Sequence, residues 1–124
     1  MGTSIMAKGV NSFKDLKIWK VAIELVKKIY VVSSKLPKEE MYGLTSQMRR
    51  SAISIPSNVA EGFRRQHNNE FKQFLYISLG SCEELETQMI IAEELVYIDK
   101  SQTTKLFEDL DHICRMTSNL IKTL

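Results

Sequence analysis

The sequence predicts an all-α protein, an up-down-up-down antiparallel four-helix bundle, and three observations predict it. Apolar residues recur at steps alternating between three and four in four separate stretches, the period of a helix buried along one face. The joints between stretches are short: Lys35-Leu-Pro-Lys-Glu-Glu-Met-Tyr-Gly43, Gln66-His67-Asn68-Asn69 and Asp99-Lys-Ser101. Short joints force consecutive helices to run antiparallel. Only two prolines and five glycines punctuate 124 residues, which favours long helices, and nothing reads as a strand. That length suits one core, placed over residues 12–124 behind an N-terminal tail of residues 1–11.

The first helix is expected from a cap at Ser12 or Asp15 to about Ser34. It carries two apolar lines, Leu16, Trp19, Ile23, Val26, Tyr30 and Ile18, Ala22, Leu25, Ile29, Val32. Two lines make a face wider than one partner groove requires, which points to a surface shared with another subunit. Pro37 then ends the helix and can open a single turn that Gly43 closes.

The second helix, about Leu44 to Arg65, has the core line Leu44, Met48, Ala52, Ile55, Val59 and Phe63. A line of mostly small polar residues runs beside it: Gln47, Ser51, Ser54, Asn58, Glu61 and Arg65. Pro56 removes one backbone donor, so a kink is expected, with Ser51, Ser54 and Ser57 available to nearby carbonyls.

The third helix is capped by Asn68 or Asn69 and expected to run to about Ile98 on the line Phe71, Leu75, Ser78, Cys82, Leu85, Met89, Ala92 and Val96. A second line is apolar at its ends and polar at Ser81, Glu84 and Gln88. The cluster Ser78-Leu-Gly-Ser-Cys82 reads as a close helix crossing. Ser101 can cap the fourth helix, whose seam is Leu106, Leu110, Ile113, Thr117, Leu120 and Leu124.

Antiparallel pairing of the second and third helices about residue 67 sets Val59 against Leu75, Ile55 against Ser78 and Ala52 against Cys82. The same register brings Arg49 and Arg50 beside Glu84 and Glu83, and ion pairs between them are expected.

The net charge of +2 is unevenly spread. Residues 7–38 carry +6 and residues 69–99 carry −6. Lys17, Lys20, Lys27 and Lys28 of the first helix, with Lys14, could join Arg64 and Arg65 in a basic surface for RNA or DNA. Without an aromatic row or groove-reading motif, such binding rests on phosphate contacts. The alternative is a protein-interaction scaffold in which the basic and acidic faces mate with each other or with a protein partner.

Catalysis is not expected: His67 and His112 are isolated, and no Glu-x-x-His pair supports a di-iron site. No metal or other cofactor is implied. Cys82 and Cys114 fall at apolar helical positions and read as buried reduced thiols. No apolar run approaches the roughly 20 residues of a membrane span, and residues 1–11 lack signal-peptide and myristoylation patterns, so a cytoplasmic protein is expected.

Phe13-x-Asp-Leu16, Trp19 and Pro37-x-x-Glu40-x-Tyr-Gly-Leu44 resemble the opening of the bacterial 23S rRNA intervening-sequence proteins. Gln47-x-Arg-Arg-Ser-Ala52, Gly80-Ser-x-x-Glu84-Leu-Glu86 and a central motif, with Ser54, Ile55, Asn58, Glu61 and Gly62, are similar to that family's most recognisable stretches. Arg64, where many members have a small residue, and Ser78, where alanine is usual, depart from the pattern. The resemblance implies a four-helix bundle assembling into a ring, typically a homopentamer. A related branch, the accessory proteins of diversity-generating retroelements, implies nucleic acid and a reverse transcriptase as partners.

Overall fold

The computed structural model describes residues 10–124. A 3-10 turn, Phe13–Asp15, leads into α1 (Lys17–Ser33), and a second, Lys38–Glu40, precedes α2 (Leu44–Phe63). Two further helices follow, α3 (Asn68–Glu94) and α4 (Lys100–Thr123), and no strand occurs among the described residues. Each helix packs on its neighbours in chain order and α4 closes against α1. The tail expected at residues 1–11 lies, up to residue 9, outside the described residues. Val10 packs against the core, and the Asn11 N–H reaches the Asp15 carboxylate at 3.3 Å.

The helix boundaries follow local chemistry. Ser12 does cap, its Oγ accepting from the Lys14 N–H at 3.2 Å, but the turn it starts is a 3-10 turn. Extended backbone at Leu16 separates that turn from α1. At the head of α2, Glu40 accepts from the Leu44 N–H at 3.1 Å and from the Tyr97 hydroxyl at 3.0 Å. The hydrogen bond to Glu40 raises the Tyr97 phenol above its ordinary pKa. A side chain at Gly43 would come within 2.8 Å of Glu40 Oε1, so glycine makes room for this carboxylate.

Three boundary expectations are corrected. His67, not an asparagine, is the N-cap residue of α3, and the Asn68 amide instead donates to the Leu124 carbonyl at 3.3 Å. Asp99, not Ser101, caps α4, in a reciprocal capping box with Gln102. Hydrogen bonds from Ser101, and from the Gln102 N–H, hold the Asp99 carboxyl below its ordinary pKa. Helix α3 ends at Glu94, four residues early, because Val96 takes a left-handed conformation at φ 60°. The Tyr97 N–H then bonds the Ala92 carbonyl and the Val96 N–H that of Glu93, both at 2.9 Å, the pattern of a Schellman stop. A β-branched residue in this conformation costs roughly 1–2 kcal/mol, and Val96 is 85% exposed, so its side chain recovers little. Val96→Gly is expected to raise unfolding stability by about 1 kcal/mol in urea titrations, after glycine's own entropy cost.

The core confirms most of the predicted lines. Met48, Ala52, Ile55 and Val59 of α2 face Leu75, Ser78, Cys82 and Leu85 of α3, all buried. The predicted register holds: Ser78 Oγ donates to the Ile55 carbonyl at 2.9 Å, and the Ser54 and Ser81 hydroxyls bond each other at 2.8 Å. Helix α2 continues through Pro56. Nearby carbonyls are served by Ser78, as above, and by Asn58, whose amide donates to the Ser54 carbonyl at 2.8 Å. Ser51 and Ser57 make no such bond.

In α1 one line is the intramolecular core, with Ala22, Leu25 and Ile29 at most 1% exposed. The other is half-covered by the same chain: Trp19 meets Phe13 edge to face at 5.4 Å, while Tyr30 stays 41% exposed. The apolar surplus expected on α1 sits mainly elsewhere, on the outer side of α3 and at the α1–α2 mouth. Ile77, Ile90, Ile91 and Leu95 are 42–52% exposed, and Tyr42 is 95% exposed.

Candidate nucleic-acid interface

Lys17, Lys20, Lys27 and Lys28 are exposed along the outer side of α1. Near its C-terminal end that stripe meets α4 in a groove of about 400 Å³ with Lys27, Lys28, Lys35 and Lys105 around it. Its floor is apolar, formed by Val31, Val32 and Leu106. Asp109 partly offsets this charge, accepting from Lys28 at 2.8 Å and pairing with Lys105 at 3.2 Å. Burial pushes the Asp109 carboxyl up, but the hydrogen bonds from Lys28 and Lys105 outweigh it and leave the pKa lowered. Lys27 pairs with Glu24 at 2.7 Å, both groups well exposed. Such pairs exchange readily for other anions, because exposed ion pairs are worth at most about 1 kcal/mol. Lys17, Lys20 and Lys35 have no ion-pair partner among the described residues.

Sequence reasoning missed Lys35 and Lys105. Lys35 directly follows α1, and Lys105 joins the stripe because α4 returns to α1, with no turn linking those two helices to set their register.

The two arginines at the end of α2 separate. Arg64 lies over the Phe13 ring, 5.5 Å from its centre, beside the start of α1 and so near Lys14 and Lys17. Arg65 turns to α3, stacking 4.7 Å over Phe74 and approaching Glu61 at 3.7 Å. Arg64 therefore sits by the start of α1, while Arg65 packs on α3.

The expected ion pairs of Arg49 and Arg50 with Glu83 and Glu84 do not form. Arg49 turns towards α1, donating from Nε to Ser33 Oγ at 2.9 Å and stacking 4.5 Å over Tyr30. A long guanidinium can reach either neighbouring helix, and here an aromatic face and a hydroxyl hold it. Arg50 and Glu84 line one groove with Tyr42 and Gln88 without coming within ion-pair distance. Glu83 and Glu84 are exposed and need no charged partner.

The family-motif residues are architectural. Ser54 and Asn58 bond the α2–α3 seam and the α2 backbone, Ile55 is fully buried, Glu61 meets Arg65, and Gly62 lets α3 close in.

A profile of the 23S rRNA-intervening sequence protein family matches residues 14–119, and the chain belongs to that family. No curated protein matches it. Among solved structures it is similar to a protein of unknown function from the S23 ribosomal protein family of Bacteroides thetaiotaomicron. That likeness has a TM-score of 0.78 at 23% identity, covers 85% of this chain and 98% of the other, and bears on the fold alone. No helix among the described residues is long and apolar enough to cross a membrane. None of their His, Cys, Asp and Glu side chains gather in threes around a metal-sized site.

Proposed function

We propose that this chain is a non-enzymatic bundle protein that binds RNA or DNA through phosphate contacts on its α1–α4 face. The observation that carries the reading is the convergence of Lys27, Lys28, Lys35 and Lys105 on one groove, continued along α1 by Lys20 and Lys17. Lysines without aromatic stacking partners suit charge-driven recognition of a backbone, indifferent to base sequence. About five phosphate contacts correspond to a slope near −4 for log affinity against log salt. Fluorescence polarisation with labelled single-stranded and duplex oligonucleotides at low ionic strength measures that slope. Absence of binding at low salt ends the proposal.

A second reading, a self-associating scaffold, is favoured by a different observation. The outer side of α2 and α3 exposes Ile53, Ile77 and Ile91, with Gln88 Oε1 buried without a partner. Gly80 stands on this side with nothing within 4 Å of where a side chain would begin. The chain's own fold does not require a glycine there, whereas a second copy packing closely would. A basic α1 and an acidic α3 suit head-to-tail contacts, which close into rings such as the expected homopentamer. A protein partner, such as a reverse transcriptase, would use the same surfaces. Gly80→Arg is expected to keep the helical circular dichroism and reduce the molar mass seen by light scattering to one chain. An unchanged mass would remove Gly80 from any interface, and a monomeric parent would remove the reading itself.

A further inference from the structure

Cys82 and Cys114 are distant in sequence but meet across the seam between α3 and α4. The two helices pair antiparallel about the turn at 95–99, where the Thr103 hydroxyl bonds Glu93 directly, and the same register sets Cys82 against Cys114. Cys82 is 1% exposed within the main core, and Cys114 is half-buried at its edge, within reach of solvent. The facing Cys114 thiol, then burial and the nearby Glu83 and Glu86, push the Cys82 thiol up. The Cys82 thiol in turn brings the Cys114 thiol down, against opposing burial and the Asp111, Glu86 and Glu83 carboxylates. The pair is thus asymmetric, with one thiol that ionises more readily and is accessible, and a buried neighbour that stays protonated. Neither takes part in the lysine face.

We propose that Cys82 and Cys114 form an oxidisable dithiol site that takes a peroxide as its two-electron oxidant and closes to an intramolecular disulfide. The Cys114 thiolate attacks one oxygen of hydrogen peroxide. The O–O bond breaks, water leaves after protonation, and Cys114 becomes a sulfenic acid. The Cys82 sulfur then attacks that of Cys114. The S–O bond breaks, and the departing hydroxide takes the Cys82 proton to leave as a second water. Two thiols are oxidised to one disulfide and one peroxide is reduced to two waters. The sulfurs must close to about 2.05 Å, which adjacent side chains on helices joined by a short turn can reach by changing rotamer. The product staples α3 to α4.

Intact-mass spectrometry of the full chain after brief peroxide treatment tests this. The expected product is lighter by about 2 Da, runs as a single chain on a non-reducing gel and reverts with dithiothreitol; methionine oxidation would add mass instead. The thermal midpoint should rise by roughly 5–15 °C on closure. Cys82→Ala should leave a sulfenic acid on Cys114 that dimedone traps, whereas Cys114→Ala should leave Cys82 unmodified. A dimer linked through Cys114, a sulfenic acid persisting on Cys114 in the parent protein, or two thiols that remain free would each overturn the proposal. The parent protein's mass and peptide map decide the matter even if neither variant folds.

Discussion

Gly62→Ala lowers unfolding stability by about 2 kcal/mol, while Gly80→Ala raises it by up to about 1 kcal/mol. Both glycines are helical, Gly80 in mid-helix and Gly62 in the last turn of α2, so alanine favours the helix at each, more so at Gly80. Packing decides the sign. A Cβ at Gly62 would sit 2.6 Å from Phe74 Cβ and 2.9 Å from Phe71 Cδ1, with the Phe71 carbonyl at 3.3 Å. Phe74 Cβ is tied to the α3 backbone and cannot swing away, so α2 and α3 must separate where Ser78 bonds the Ile55 carbonyl and Ser54 bonds Ser81. Gly62→Val adds two more carbons at that point and should prevent folding, since total stability of a small domain is only about 5–15 kcal/mol. Urea titration of the three variants followed by circular dichroism reads these effects. Equal shifts for the two alanine variants would show that α2 and α3 do not approach as closely as Gly62 allows.

The second large effect falls on binding. Lys27→Glu, Lys35→Glu and Lys105→Glu together take the net charge from +2 to −4 while touching only the rim of the α1–α4 groove. The triple variant should weaken oligonucleotide affinity by at least about 100-fold at low salt and flatten the salt slope by about three contacts. Its fold should be retained, because these side chains are exposed and the apolar floor is untouched. Arg49→Glu with Arg50→Glu is the control on another face, since Arg49 is held by Tyr30 and Ser33. Binding should fall much less for that pair, by no more than the general field effect of net charge. Equal losses in both variants would mean that total charge, and not this groove, governs affinity.

Some of this was legible in the sequence, and the reasons differ residue by residue. The register of α2 on α3 was readable because a short turn about residue 67 fixes which residues meet, and Ser78 on Ile55 follows directly. The end of α3 was not readable, because Val96 keeps the apolar rhythm while its backbone leaves the helix. The fate of Arg49 was hidden by the length of its side chain, which reaches two helices with equal ease. The lysine groove depends on α4 returning to α1, a pairing that no connecting turn announces, so Lys105 could not be set beside Lys27, Lys28 and Lys35. Cys82 and Cys114 were readable as core thiols but not as neighbours, since their meeting follows from where the α3–α4 turn falls.

The proposed binding places nucleic acid on the lysine groove between α1 and α4. Backbone amide shifts in nitrogen-15-labelled protein, followed as an oligonucleotide is added at low salt, test this most directly. The largest changes should fall at Lys27, Val31, Lys35, Gln102 and Lys105 and fade along α1 towards Lys17. Changes centred on Tyr42, Arg50 and Gly80, or none at all, would contradict it.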